Sequence, residues 1–237
     1  MIDIHSHILP SVDDGAKTLD MALSMLRTAV KSGVSTQVLT PHIQPGKFNN
    51  NKTDLEKKFN AFKAVVENLK IGINLKLAAE VRIGPEIIAL LDNDEIPLLG
   101  EYLGRKTFLL EFPAYDVPFG SDNLVKFLMQ KGYLPIIVHP ERNRTFTDHP
   151  KKLHPFLDLG CPVQITAASL SGKFGDEAKA FSLKLLESYP NSMIATDCHN
   201  LTSRAPDFDT GVSLLEKHFS PDRVQSILAM PKQFISA

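Results

Sequence analysis

The sequence predicts an α/β fold of about seven strand–helix units around one parallel sheet, closed as a barrel. Three observations predict it. Short apolar runs of strand length alternate with longer runs of helical period along most of the chain. A length of 237 residues with 43% hydrophobic composition suits one core, hence a single domain over 1–237. The apolar runs end in polar residues of a few kinds, and a barrel keeps its function at the ends of its strands. An open, doubly wound sheet is the alternative topology.

Each element has its own warrant. Residues 2–5 form the first strand. A helix over 19–31 follows, with Leu19, Ala22, Leu23, Leu26, Ala29 and Val30 on one face and Gly33 as its stop. The second strand, 35–40, ends at Pro41-His42. The second helix, 54–69, carries a stripe of Leu55, Phe59, Phe62, Val66 and Leu69, and Thr53 and Glu56 have capping-box spacing. Strand 74–79 runs into Glu80 and is followed by a short helix over 85–91. Strand 107–110 runs into Glu111, and a helix over 121–131 leads to strand 134–138, which ends at His139. Helix 151–158, strand 162–166, helix 176–188 and strand 192–196 complete the alternation, the last just before Asp197 and His199. Helical segments at 212–218 and 221–229 close the chain. The loops 43–52 and 112–121 each follow a polar strand end and should border the site. The second carries Phe112, Tyr115 and Phe119.

Charge and composition exclude several classes. The formal net charge is −1, with both signs interspersed, which argues against a nucleic-acid binder with a broad basic face. No run approaches the ~20 apolar residues of a membrane span, and no charged-then-apolar leader is visible. The expectation is a cytoplasmic protein that is not integral to a membrane. Cys161 and Cys198 are the only cysteines, and nothing else suggests an oxidising compartment.

The chemistry lies in the strand ends. Alternate residues of an extended chain point the same way, so His5 and His7 can aim both imidazoles at one point, as one ion needs from two ligands. Taken singly, a histidine or glutamate at a strand end is more often a hydrogen-bonded structural residue. The joint pattern differs. Five of the eight histidines (His5, His7, His42, His139 and His199) sit at such ends together with Glu80, Glu111 and Asp197. Asp13 or Asp14 can add another carboxylate, with Asp14 favoured, although Asp-Gly is also a turn signal. His149, His154 and His218 are read as surface or packing residues. One catalytic zinc takes about three protein ligands, so this set implies two or three ions and a bridging carboxylate. Nitrogen and oxygen donors without thiolate suit manganese, iron or zinc.

A cluster of that kind lowers the pKa of bound water and clamps both attacking and leaving oxygens, which fits phosphate-ester hydrolysis. Arg142, three residues after His139, and Arg204, five after His199, offer planar forks for phosphate oxygens. The stretch from Cys198 to Arg204 also has the C-x5-R spacing of cysteine-dependent phosphatases. Its loop has no glycine, however, and Asp197 beside the cysteine would raise a thiol pKa, so Cys198 is read as a buried structural residue.

These residues resemble the PHP (polymerase and histidinol phosphatase) superfamily. Within it, the chain is similar to the manganese-dependent bacterial protein-tyrosine phosphatases of capsule and exopolysaccharide operons. The matching stretches are MIDIHSHILPSVDDGAK at the start, TPH at His42, AAE at Glu80, LLEFP at Glu111, HPERN at 139–143, QITAASLSGKFG at 164–175 and TDCHN at 196–200. Ile43, Thr166, Ala168 and Cys198 depart from the family pattern. The resemblance implies a distorted TIM-like (β/α)7 barrel, the PHP fold. It implies two or three divalent ions, manganese foremost. His5, His7, Glu80 and Asp197 would hold one, Glu80, Glu111 and His139 a second, and Asp14, His42 and His199 a third. Arg142, Arg204 and His42 would carry catalysis, with a metal-bridging hydroxide attacking phosphorus. The substrate would be the tyrosine-phosphorylated tail of an autokinase. A small-molecule phosphatase, such as one for histidinol phosphate, and a non-catalytic metal-binding regulatory domain are the alternatives.

Overall fold

Seven parallel staves, two of them broken midway, carry the architecture. In this computed structural model, which describes residues 1–235, β1 (Ile2–Asp3) pairs with β2 (Thr36–Leu39). At Thr40-Pro41 the second stave breaks and resumes as β3 (His42–Ile43). β2 also pairs with β4 (Asn74–Leu77), which breaks at Ala78-Ala79 and resumes as β5 (Glu80–Arg82). β3 and β5 pair with His42 opposite Glu80. An antiparallel hairpin follows, β6 (Gly100–Tyr102) and β7 (Arg105–Glu111). β7 pairs with β5 on one side and β8 (Tyr133–Val138) on the other, and the ladder continues through β9 (Val163–Thr166) to β10 (Ser192–Ala195). Past β10, the His7 N–H donates to the Cys198 carbonyl and the Asp197 N–H to the His5 carbonyl, each at 2.9 Å. Those bonds flank a parallel bridge between Ser6 and Cys198 and bring the ladder back to its first stave.

The staves point their alternate residues inward, which is what fixes their faces. Ile4, Val38, Ala78, Leu109, Ile136 and Met193, one from each of six staves, meet in one buried cluster. β9 contributes Gln164 to the interior instead, fully buried. Met230 and Phe234 of the last helix join the same cluster, so that helix packs on the inner layer at the end away from the site. It runs from Pro221 to Ile235 as α9, six residues beyond the expected end and through Pro231, because Met230, Phe234 and Ile235 are all buried. Burial there outweighs the local cost of a proline inside a helix.

The outer layer consists of helices on the outer faces of the staves. These are α1 (Leu19–Lys31), α2 (Lys52–Asn68), α3 (Glu86–Asp92), α4 (Ser121–Gln130), the short α5 (Arg144–Asp148) and α6 (His154–Asp158), α7 (Asp176–Ser188) and α8 (Phe208–His218). Their apolar faces, with Leu26, Phe62, Leu128, Phe156 and Leu186, merge into one larger cluster. α2 begins two residues earlier than expected. Asn51 caps it, accepting from the Asp54 N–H at 2.9 Å, and the Thr53–Glu56 box does not form. The expected helix 151–158 is a 3₁₀ turn over Pro150–Lys152 followed by α6. Among the described residues no helix is long and apolar enough to cross a membrane.

Candidate metal centre

The two stave breaks build the centre. Pro41 cannot donate to a ladder, and the chain re-enters the sheet one residue later with His42 facing Glu80 across β3 and β5. β5 in turn lies against β7 with Arg82 opposite Glu111. His139 and Asp197 follow their strands in the left-handed backbone region, with φ of 34° and 49°. Such values are uncommon for residues other than glycine and cluster where side chains must be aimed.

All nine expected ligands reach one rim. His5, His7, His42, Glu80, Glu111, His139, Asp197 and His199 are buried, and Asp14 is exposed at the edge. The His5 and His7 Nε2 atoms lie 3.3 Å apart. Glu80 is the hub. Its Oε1 accepts from His139 Nε2 at 2.7 Å, and its Oε2 faces His5, His7 and His42 at 3.3, 3.2 and 2.9 Å. Asp197 Oδ1 faces His5, His7 and His199 at 3.4, 3.3 and 3.5 Å. Asp14 Oδ1 stands 3.4 Å from both His42 and His199. Ligand atoms gather as His7, Asp14, His42 and His199, as His5, His7 and Glu80, as His5, His139 and Asp197, and as His42, Glu80 and Glu111. The expected grouping of Glu111 with His139 is divided between two of these sets. Arg82 Nη2, 2.9 Å from Glu111 Oε2, draws that carboxylate toward the β5 side.

Outer partners orient the rings. His7 Nδ1 is 2.7 Å from Asp13 Oδ2, and the same carboxylate oxygen accepts from the His42 N–H at 3.1 Å. His5 Nδ1 donates to Gln164 Oε1 at 2.8 Å, and His199 Nδ1 donates to the Asp197 carbonyl at 3.0 Å. Each such bond fixes a tautomer and leaves Nε2 for an ion. Phe48 stacks on His42, with ring centroids 5.2 Å apart and planes 6° apart. Gln164, Arg82 and Phe48 escaped sequence reasoning. The one signal for Gln164 was a polar residue inside an apolar strand.

The residues present fit divalent cations. His42 Nδ1, Glu80 Oε2, Asp197 Oδ1 and His199 Nε2 are buried without a hydrogen bond, and each belongs to a set that could hold an ion. They face charged neighbours at 2.9 to 3.4 Å without hydrogen-bond geometry, an arrangement that a shared cation would satisfy. Charge points the same way. Burial and the neighbouring Glu80 carboxylate push Glu111 up to about 7. Burial disfavours the charged His42 ring, but Glu80 and Asp14 together more than offset this and raise it to about 9. Burial and Arg142 hold His139 down at about 4, and burial and His7 hold His199 at about 4, which keeps both imidazoles neutral as ligands must be.

Arg142 and Arg204 both donate to Asp197 Oδ2, the oxygen that faces away from His5 and His7. Asp197 thus joins the histidine cluster to a pair of guanidinium groups. A cavity of about 590 Å³ opens beside Arg142, lined also by Glu111, His139, Tyr115 and Phe174. Cys198 is fully buried and its thiol is pushed well up, first by burial and then by Asp3, so it offers no nucleophile. His149, His154 and His218 are exposed and lie outside the centre.

Residues 1–235 match the family model described as capsular polysaccharide synthesis, CpsB/CapC. The putative tyrosine-protein phosphatase CapC of Staphylococcus aureus is 37% identical over 204 residues, which is 86% of this chain and 79% of that protein. The tyrosine-protein phosphatase YwqE of Bacillus subtilis is 35% identical over 222 residues, 94% of this chain and 86% of that one. A solved structure from work on YwqE of Bacillus subtilis and CpsB of Streptococcus pneumoniae, described as unique metal-dependent tyrosine phosphatases, matches with a TM-score of 0.91 at 33% identity. It covers 99% of this chain and 94% of that one. A phosphotriesterase homology protein of Escherichia coli, 16% identical with a TM-score of 0.61, shares the fold alone.

Proposed function

The chain belongs to the capsular polysaccharide synthesis family CpsB/CapC, and from this premise we propose how its centre works as a metal-dependent tyrosine-protein phosphatase. The observation that carries the reading is the placement of unsatisfied, buried nitrogen and oxygen donors beside two arginines that share one carboxylate oxygen. Nine residues would hold two or three divalent ions: His5, His7, Asp14, His42, Glu80, Glu111, His139, Asp197 and His199. Glu80, with one oxygen toward His139 and the other toward three histidines, would bridge. Manganese is the ion we propose, and iron or zinc suits the same donors. When bound, such ions supply Lewis acidity and lower the pKa of a bound water.

The chain's own residues supply the rest. Arg142 and Arg204 would turn their forks from Asp197 to the phosphoryl oxygens, binding in pairs where charge accumulates. His42, stacked on Phe48, stays aimed at Glu80 and Asp14. Buried walls around His5, His7 and Glu80 keep bulk water from screening these charges. The substrate we propose is a tyrosine-phosphorylated protein, the tail of an autokinase that controls polysaccharide export.

The test is a phosphoester panel run on metal-free protein reloaded with one metal at a time. A phosphotyrosyl peptide should give the highest kcat/KM, with manganese restoring most activity. A higher value for histidinol phosphate would shift the reading to a small-molecule phosphatase. No turnover of any ester by the metal-loaded protein would leave a binding domain.

A further inference from the structure

We propose that Phe174 and the cavity it lines form the subsite for the aryl ring of the substrate, so that ring recognition is separate from phosphate recognition. This rests on the phosphotyrosine reading above. Phe174 lies in the turn between the 3₁₀ segment Ala167–Ser171 and α7, where Gly172 and Gly175 take φ of 84° and 98° and the Gly175 N–H donates to the Gly172 carbonyl at 2.9 Å. Two left-handed glycines hold the intervening aromatic outward, half-buried, where a plain turn would carry a polar residue. Its ring centroid is 5.0 Å from the guanidinium carbon of Arg142.

That contact sets the direction. A guanidinium offers its edge to anions and its face to aromatic rings. Arg142 therefore uses one surface for Phe174 and keeps its N–H groups for Asp197 or a phosphoryl group. The cavity of about 590 Å³ that opens beside Arg142 is lined by Phe174 and Tyr115 together with His139 and Glu111, so the ester substituent of a phosphate held by Arg142 has this space to enter. The volume is within the ordinary range for ligand pockets and leaves room for a tyrosyl ring and the peptide around it. A ring beside Phe174 gains offset or edge-to-face stacking. An alkyl phosphate gains none of this.

The experiment measures binding and needs no turnover. Manganese-loaded protein is titrated by calorimetry with two probes: inorganic phosphate, and a peptide carrying a non-hydrolysable phosphonomethyl analogue of phosphotyrosine. In Phe174→Ala the peptide should bind about tenfold or more weakly, while phosphate affinity changes less than twofold. Phe174→Tyr should keep peptide affinity near that of the unmodified protein. Equal weakening of both probes would mean that Phe174 only steadies Arg142, and unchanged peptide affinity would mean that the ring lies elsewhere; either result overturns the proposal. Failure to hydrolyse phosphotyrosyl peptide, with the ratio of affinities as expected, would count against the phosphatase reading and leave the subsite standing.

Discussion

His7 Nδ1 stands 2.7 Å from Asp13 Oδ2, while its Nε2 faces Glu80 and Asp197 at 3.2 and 3.3 Å. Of the two adjacent aspartates, Asp13 is therefore the one that orients a ring, and Asp14 is the one that faces His42 and His199. Asp13 is held down at about 2: burial works against the charge, and His7 more than offsets it. Partners of this kind typically change metal affinity or activity by about 10- to 100-fold. Asp13→Ala should retain the full metal stoichiometry at saturating manganese with affinity weakened by roughly that factor. Asp14→Ala should lose one ion outright. Elemental analysis after dialysis separates them, and an Asp13→Ala protein short of one ion would reverse the assignment.

Gly15 has no room for a side chain. A Cβ there would lie 2.0 Å from the His7 carbonyl oxygen and 2.5 Å from the His7 Cβ. Gly15→Ala must push the His7 backbone away from the centre, at a cost of about 1–3 kcal/mol by analogy with overpacked cores. Thermal unfolding should show the loss of stability, with activity falling further than stability because His7 is displaced. An active, equally stable variant would contradict the close packing of Gly15 on His7.

Metal uptake should depend steeply on pH. Without a cation Glu111 ionises near 7 and His42 loses its proton near 9. Both must be deprotonated to coordinate, so protons compete at Glu111, His42 and His7 below pH 7 and at the two histidines above it. His7 joins His42 there because burial is outweighed by Asp13 and its other carboxylate neighbours, which raise it well above its ordinary value. Apparent manganese affinity should rise from pH 6 to 9, by up to about tenfold per unit for each competing group. Calorimetry in buffers of different ionisation enthalpy should count more protons released at pH 6 than at pH 9. Affinity that falls as pH rises over this interval would contradict the electrostatics of the centre.

Thiol chemistry should play no part. Cys161 and Cys198 are both buried, and burial pushes the Cys161 thiol up to about 12. Iodoacetamide should leave the rate on phosphotyrosyl peptide unchanged, Cys198→Ser should remain active, and a chelator should abolish turnover. Inactivation by alkylation together with an inactive Cys198→Ser would restore a cysteine mechanism.

Arg142 and Arg204 should act as one unit because they converge on Asp197 Oδ2. Removing one donor to developing charge commonly costs about 10²- to 10³-fold in kcat. Each alanine variant should fall by about that much, and the double variant by less than the product of the two. Steady-state kinetics on the four proteins of this cycle gives the coupling. Strict additivity would place the two guanidiniums in separate roles.

Much of this arrangement was legible in the sequence because periodicity and strand-end chemistry are local signals. The strand ends at Glu111 and His139 and most of the helix face of 19–31 needed only neighbouring residues, although Leu19 at the start of that face is exposed and Glu80 opens a strand where it was expected to follow one. β3 and β5 were missed because two or three residues carry no period, and their pairing is a contact between distant segments. The β6–β7 hairpin was missed because its turn places Leu103 as well as Gly104 at positive φ, a geometry that a leucine does not advertise.

The amino-acid sequence alone determined which elements form and which donors their ends present, because backbone preference and side-chain chemistry belong to the residues themselves. Only the tertiary structure decided that Asp13 serves His7, that Gln164 serves His5, that Arg82 holds Glu111 and that both arginines meet at Asp197. Those relationships depend on the stagger between staves and on where two of them break. Stagger is set by packing of the whole barrel, and no single stretch of chain contains it.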